Sequence, residues 1–463
     1  MSWNEILDAT ALEQARLVRD GKLSSEELVR VYLERIERLN PRLCAFVQVF
    51  PERALKAARA KDDERRRARD PLPPFHGVPL GIKDLNVVRW MPTGFGSRAM
   101  PHPILPIDDQ TVAPLRRAGF VILGKLSTSE LGAMPVTEPD THEPTRNPWS
   151  PAHTSGGSSG GSGSAVAASM LPIAQGSDGA GSIRIPAAFC HLVGLKPSRG
   201  RLRNQFGLPD RRILYTSGPL ARTVGDAAAM LDVMAGLDEG RPHWAPPPPR
   251  PFRALAEEKP RRLKIRFNTR SPLGPTHPEI VAAVERAARL LGELGHDVEP
   301  GPPPEGSLEE FLPLWQHLTA QMPLLRRSRL QPITRWLAQP GRTLRARDME
   351  ALQAKLEARF QPLLAQAELW VTPTVTQPPP LVGAFRDLAP ADAFAAAAQL
   401  GAFTALFNIT GQPAISIPLG LTTAGLPMGL QLVGTMFAEA DVLAVARQLE
   451  EAMPWRDRHA PEL

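Results

Sequence analysis

Residues 176–190 read GSDGAGSIRIPAAFC, gathering Gly176, Gly179, Ala180 and Gly181 ahead of Ser182, with Asp178 and Arg184 on either side. A serine that attacks a carbonyl needs a base for its proton and donors for the oxyanion that forms. Backbone N–H groups approach such an oxygen best where no side chain projects. The run Gly179, Ala180, Gly181, Ser182 therefore suits an oxyanion hole, a row of amides aimed at one point. Ile183, Ile185, Pro186 and Phe189 follow at once, so the stretch is no flexible linker.

Two other catalytic templates fit less well. GFVILGKL (119–126) approaches a phosphate-binding loop through Gly119, Gly124 and Lys125, but its interior is strand sequence and Leu126 stands where Ser or Thr should hold magnesium. We expect a structural strand. GGSSG (156–160) matches the nucleophile-elbow pattern, which needs an apolar strand before it and an acid and a histidine after it. The preceding sequence is NPWSPAHTSG; His243, His277 and His459 lie in Pro-rich or terminal segments, and His296 and His317 carry no local signature. A histidine-free arrangement remains, drawing on Lys83 in GIKD, the Gly/Ser run 155–164 and the stretch ending at Ser182.

Taken together, GGSSGGSGSAVAAS and GSDGAGSIRIPAAFCHLVGLKPS resemble the signature of the amidase signature family. HGVPLGIKDL, GKLSTSELG, PTRNPW, SGPLARTVGDAAAML and FNITGQPAISIP match its further landmarks in order. The likeness is strong over 75–235 and 369–455 and weak over 240–368. It implies a triad in which Ser182 is the nucleophile, Ser158 a relay serine in a cis peptide bond, and Lys83 the base. A lysine can act as a base only when neutral, so Lys83 must be buried or sit near another positive charge. Ser159, Ser177, Asp178 and Arg184 match supporting positions. Two departures stand out: Ala180 replaces a glycine, which keeps the N–H, and His191 replaces a glycine after Phe189 and Cys190. Packing or pocket lining is the expected role of His191, and Cys190 should be a small buried hydrophobe.

The resemblance implies an amidase that forms an acyl-enzyme, with a small-molecule amide or carbamate as substrate and no metal or other cofactor. Ile185 suggests a neutral or hydrophobic acyl group. Loops 200–216, 306–345 and 376–400 are the expected pocket walls. An alternative is the catalytic subunit of a glutamine-dependent tRNA amidotransferase, but that subunit shows Gln where this chain has Ile185, and an Asp-Gln-Ile-Gly-Pro run where this chain has LYTSGP (214–219). A carbamate hydrolase is a second alternative, because the same attack and oxyanion serve it equally. A scaffold that has lost catalysis would lack a triad member, and all three are present.

These residues need a frame. Alternating helices and short apolar strands argue for an α/β architecture, and the resemblance implies a large mixed β-sheet flanked on both sides by helices. Residues 1–75 read as an N-terminal helical region packed on the core, with a capping box in Ser24 and Glu27. Residues 76–463 read as one catalytic domain with a variable Pro-rich and helical insert at about 240–368. In GVPLGIKDLNVV (77–88), Val78, Leu80 and Ile82 alternate with Pro79, Gly81 and Lys83 as in a strand, and AGFVILGK (118–125) reads as a buried strand. The run 155–164 reads as a loop feeding the helix AVAASM. Strands are expected at LKIRF, LWVTPT and GQPAISIPLGL, and helices at EIVAAVERAARLLGELG and over 306–368.

The 463 residues, 43% hydrophobic and 22% charged, are those of a folded protein with a sizeable core. Two cysteines, Cys44 and Cys190, exclude a disulfide framework or thiolate metal site and fit a reducing compartment. The first residues show no secretory leader, and no apolar run nears the ~18 residues that span a bilayer. A cytoplasmic monomer or homodimer without membrane contact is expected. The net charge is +6, but the densest basic run, KDDERRRARD (61–70), interleaves acids, which marks a solvated helix face rather than a nucleic-acid surface.

Overall fold

The computed structural model describes residues 3–203, 214–235, 245–322 and 324–462. Eleven strands form one mixed sheet: β1 (Phe46–Val49), β2 (Pro79–Lys83), β3 (Val121–Leu126), β4 (Ile173–Asp178), β5 (Val193–Lys196), β6 (Thr216–Ala221), β7 (Lys264–Phe267), β8 (Asp297–Pro300), β9 (Leu369–Pro373), β10 (Ala414–Leu421) and β11 (Pro427–Gly434). Their order across the sheet is β1-β3-β2-β4-β6-β5-β10-β11-β9-β7-β8. The helices that matter below are α1 (Ser25–Leu43), α2 (Pro51–Arg67), α3 (Gly160–Ala167), α4 (Arg184–Phe189), α5 (Pro278–Glu293), α6 (Leu308–Ala320), α7 (Ala346–Leu364) and α8 (Glu439–Ala452).

Helices cover both faces of the sheet, and the strand period shows it. Val121 and Leu123 enter one core with Leu28 and Ile36 of α1, while Ile122 enters the other with Val284 of α5 and Leu443 of α8. Successive side chains of a strand point to opposite faces, so β3 is buried on both. The expected alternation in β2 is present: Leu80 and Ile82 join one core, and a Cβ on Gly81 would strike Leu171 and Leu126 of the other. That period puts Lys83 on the Gly81 face.

Local rules account for the ends of α1. Ser24 Oγ accepts the Glu27 N–H at 3.1 Å and the Glu27 carboxylate accepts the Ser24 N–H at 2.9 Å, the expected capping box. The charged run begins in α2 as a solvated face, with Lys61–Glu64 and Arg66–Asp63 pairs one turn apart. Its exception is Asp62, buried and accepting the Ser25 and Glu26 N–H groups at the start of α1.

Three elements differ from expectation. β1 lies inside the N-terminal segment read as helical and pairs antiparallel with β3, so that segment adds a strand to the sheet as well as helices. The run 155–164 is not all loop, because α3 starts at Gly160. Its glycines serve close approach: a Cβ on Gly161 would collide with the backbone of Ser127 and Ala45. β11 went unread, although all eight of its residues are buried and it pairs with β10 on one side and β9 on the other. Pro427 and Gly429 weaken its strand signal.

Candidate active site

β2 runs parallel beside β4, with Gly81 opposite Ala174. The C-terminal ends of both strands therefore reach the same edge, the usual place for a site in an open α/β sheet. Lys83 closes β2 there, and Ser177 and Asp178 close β4. Lys83 Nζ donates to Ser158 Oγ at 2.7 Å, to Ser177 Oγ at 3.1 Å and to the Ser177 carbonyl at 3.3 Å. Its backbone N–H donates to Gln175 Oε1 at 3.1 Å. The side chain is fully buried. Burial brings its pKa down to about 7, against a smaller opposing pull from the Asp178 charge. A neutral amine is thus accessible near neutral pH, and it can accept the Ser158 proton.

Ser158 precedes α3, and the Gly157–Ser158 peptide bond is cis, as the resemblance implied. Thr137 fixes this loop by donating to the Gly156 carbonyl at 2.8 Å and accepting the Gly160 N–H at 3.1 Å. Ser159 donates from Oγ to the Ser177 carbonyl at 3.2 Å and accepts the Ser177 N–H at 3.3 Å. It thus holds the residue that in turn holds Lys83. Ser182 lies in the turn between β4 and α4, and its carbonyl accepts the Ser159 N–H at 3.1 Å. Ser158 and Ser182 line the same cavity. Their hydroxyls are not hydrogen-bonded to each other.

The turn before Ser182 is built around Asp178. Its carboxylate takes the Gly181 N–H at 2.7 Å and the Ile183 N–H at 3.2 Å. Arg184 donates to both of its oxygens, from Nε at 2.9 Å and Nη2 at 2.8 Å, and both side chains are fully buried. Burial alone would raise the Asp178 pKa, but the Arg184 charge and its hydrogen bonds hold it well below the usual carboxylate range. Gly181 sits at φ +125, where a Cβ would also collide with Thr404. The expected row of four oxyanion donors is amended here. The Gly181 N–H already serves Asp178, while those of Ala180 and Ser182 have no acceptor among the described residues.

Several residues that sequence reasoning passed over complete this framework. Asn408 Nδ2 donates to the Asp178 carbonyl and Oδ1 at 2.9 and 3.0 Å and to the Leu214 carbonyl at 2.9 Å, while its Oδ1 accepts from Arg184 at 2.6 Å. Gln431 of β11 accepts from Arg184 Nη1 at 2.7 Å, and the Thr404 carbonyl accepts from the same nitrogen at 3.0 Å. A polar Asn inside the apolar FNI of FNITGQPAISIP was the available signal.

Other candidates fall elsewhere. Lys125 pairs with Asp84 at 2.8 Å, both buried, a structural role as expected. His191 packs edge-on to Trp149 at 5.1 Å and lines a small separate cavity with Arg456 and Arg458. Burial first, then the Arg458 charge, lowers its pKa to about 3. Cys190 is buried, and its thiol is pushed up by that burial. His296 accepts the Leu263 N–H at Nδ1 and contacts Gln448, and His243 lies outside the described residues. No cluster of three or more His, Cys, Asp or Glu among the described residues is arranged to hold a metal, and none of their helices is long and apolar enough to cross a membrane.

Two cavities meet at Ser182. The larger, about 940 Å3 with its open mouth, is lined by Ala180, Ile185, Phe311, Phe360, Phe394 and Leu406 among others. The smaller, about 690 Å3, reaches Ser158, Ser177, Tyr215, Thr319 and Met322. Of the expected walls, 306–345 contributes through α6, 376–400 through Phe394 and Ala398, and 200–216 through Tyr215; residues 204–213 lie outside the described residues. Phe360 of α7 and residues 401–409 were not anticipated.

The profile of the family described as Amidase matches residues 27–443. The chain belongs to the amidase signature family. It is 35% identical to the 6-aminohexanoate-cyclic-dimer hydrolase of Pseudomonas sp. (strain NK87), over 98% of this chain and 96% of that protein. A solved 6-aminohexanoate cyclic dimer hydrolase superposes with a TM-score of 0.88 at 33% identity, covering 98% of this chain and 99% of that one. A bacterial aryl acylamidase of the same family gives 0.84 at 25% identity, covering 96% of each chain. The protein is accordingly an amidase, a hydrolase of amide C–N bonds acting on small molecules, and its eleven-stranded sheet with flanking helices is the amidase signature fold.

Proposed function

We propose that this amidase works through an acyl-enzyme on Ser182, with Ser158 as proton relay and Lys83 as base. The observation that carries the reading is the 2.7 Å bond between buried Lys83 Nζ and Ser158 Oγ, whose side chain lines the cavity that Ser182 also lines. Ser182 Oγ attacks the carbonyl carbon, its proton passes to Ser158 Oγ, and the Ser158 proton passes to neutral Lys83. The carbonyl oxygen becomes an oxyanion held by the N–H groups of Ser182, Ala180 and Gly179. On collapse the proton returns through Ser158 to the leaving nitrogen, since an amine departs poorly unless protonated. The C–N bond breaks, the amine leaves and an ester to Ser182 remains. Water then attacks by the same relay and frees the acid.

The cavities support a substrate class. Ile185, Phe311, Phe360 and Phe394 suit a neutral, apolar acyl group, and the similar structures are, by their names, a 6-aminohexanoate cyclic dimer hydrolase and an aryl acylamidase. The test is intact-mass and peptide analysis after rapid quenching with an apolar anilide. An acyl adduct on the peptide that contains Ser182, absent in Ser182→Ala, is expected. Hydrolysis by Ser182→Ala at the wild-type rate would sink the assignment.

A further inference from the structure

Trp315 stands at the boundary between the two cavities and lines both. Its indole is hydrogen-bonded at one end and lies close to Gly179 at the other. Nε1 donates to the Ala133 carbonyl at 3.0 Å, and the far ring edge lies 3.2 Å from where a Cβ on Gly179 would sit. Phe311 stacks beside it with centroids 5.8 Å apart. On the far side, Thr319 Oγ1 donates to the Trp315 carbonyl at 2.8 Å, one turn along α6. Bonded through Nε1 and stacked on Phe311, the indole stands as a partition between the two cavities.

The two sides of that partition are chemically unequal. Ser158 lines the smaller cavity and not the larger one. The group that must hand a proton to the departing nitrogen thus faces only one side. Among the described residues, no Asp, Glu, Lys or Arg lines that smaller cavity, whereas the larger one carries Glu305, Glu310 and Arg359. Glu310 and Arg359 join α6 to α7 through two hydrogen bonds of 2.6 and 3.0 Å and are more than a third exposed. A charge on the amine side would be desolvated without a charged partner among the described residues, while a polar tail on the other side would find this polar rim.

Resting on the Ser182–Ser158–Lys83 reading above, we propose that Trp315 is the specificity-determining wall that sorts the two halves of the substrate. The acyl group occupies the larger cavity and the amine the smaller one. The amine is therefore compact and uncharged, and the acyl group is long and apolar. Trp315 sets the width allowed to the amine.

Two amide series test this. One keeps a hexanoyl group while the amine grows from ammonia through aniline to 1-naphthylamine; the other keeps aniline while the acyl group grows from acetyl to decanoyl. In Trp315→Leu, the kcat/KM ratio of naphthylamide to anilide should rise about tenfold or more, with the order of acyl preference kept. Thr319→Trp, which fills the amine side, should lower the same ratio. A small fluorophosphonate that labels the nucleophile reports whether each variant is folded. An unmoved amine ratio in a labelled variant, or a changed acyl order in its place, overturns the proposal. Wild type alone supplies a second arm. A carboxylate on the aniline ring should depress kcat/KM about tenfold or more, well beyond the effect of a carboxylate at the far end of the acyl chain; the reverse order overturns the assignment. Failure of the underlying triad looks different, because Ser182→Ala would then hydrolyse the plain anilide as fast as wild type.

Discussion

Asp178 Oδ1 accepts the Gly181 N–H at 2.7 Å, and so the residue directly before Ser182 is oriented by a carboxylate that Arg184 holds from the other side. The turn that carries Ser182 is thus tied to a buried ion pair.

Breaking that pair on one side should be costly. Arg184→Met leaves the Asp178 charge buried without its partner, and a loss of about 3–5 kcal/mol in unfolding free energy is expected. Chemical denaturation of Arg184→Met, Asp178→Asn and the double variant measures it. The double variant should lose less than the sum of the singles, because the residues act as one unit.

Gly181 makes a second prediction. Its φ of +125 and the proximity of Thr404 leave no room for a Cβ. Gly181→Ala should cost about 1–3 kcal/mol of backbone strain and depress kcat more than it raises KM, since it displaces the turn that carries Ser182. Thermal melting and steady-state kinetics separate the two effects. Wild-type values for both would refute it.

The pH dependence follows from Lys83. A base with a pKa of about 7 acts only when deprotonated, so kcat/KM should rise with pH through about 7 and then level. Ser158→Ala removes the relay and should lower kcat by about 10²–10⁴-fold without loss of fold, as judged by circular dichroism. A flat profile from pH 5 to 9 would contradict the assignment of Lys83.

Buried Lys196 gives a stability counterpart. Burial first, then the Arg184 charge, lowers its pKa to about 7 from 10.5. Between those values the unfolded chain binds a proton that the folded chain does not. Stability from this group therefore rises with pH across that window and is lowest below about 7. Lys83 adds a slope of the same sign over the same window, so Lys196→Met should reduce, and not abolish, the slope in denaturation curves taken from pH 7 to 10.

Much of the site was legible because its chemistry is local. Lys83 lies on a strand whose period of two is plain, and Gly179 to Ser182 announce an exposed backbone by what they lack. The misreadings share a physical cause. Whether an amide points at a ligand or at Asp178 depends on φ at Gly181, which no residue type reveals. Gly160 lies close against Thr137 and Ser155 and Gly161 against Ser127 and Ala45; such glycines signal close packing as readily as looseness, and only the fold distinguishes them. β11 hides behind Pro427 and Gly429 because tertiary pairing on both edges overrides weak propensity. Trp315 lies in the least patterned stretch of the chain, where position in space, and not sequence, gives it meaning.

The clamp on Asp178 and Arg184 has a consequence for synthesis. Its partners Thr404, Asn408 and Gln431 follow 220 to 247 positions later in the chain. A nascent polypeptide would emerge from the ribosome bearing Lys83, Ser158 and Ser182 long before Thr404, Asn408 and Gln431 could lock the turn that carries Ser182. The turn around Ser182 therefore lacks these partners until residues 404–431 have been made and have folded against it.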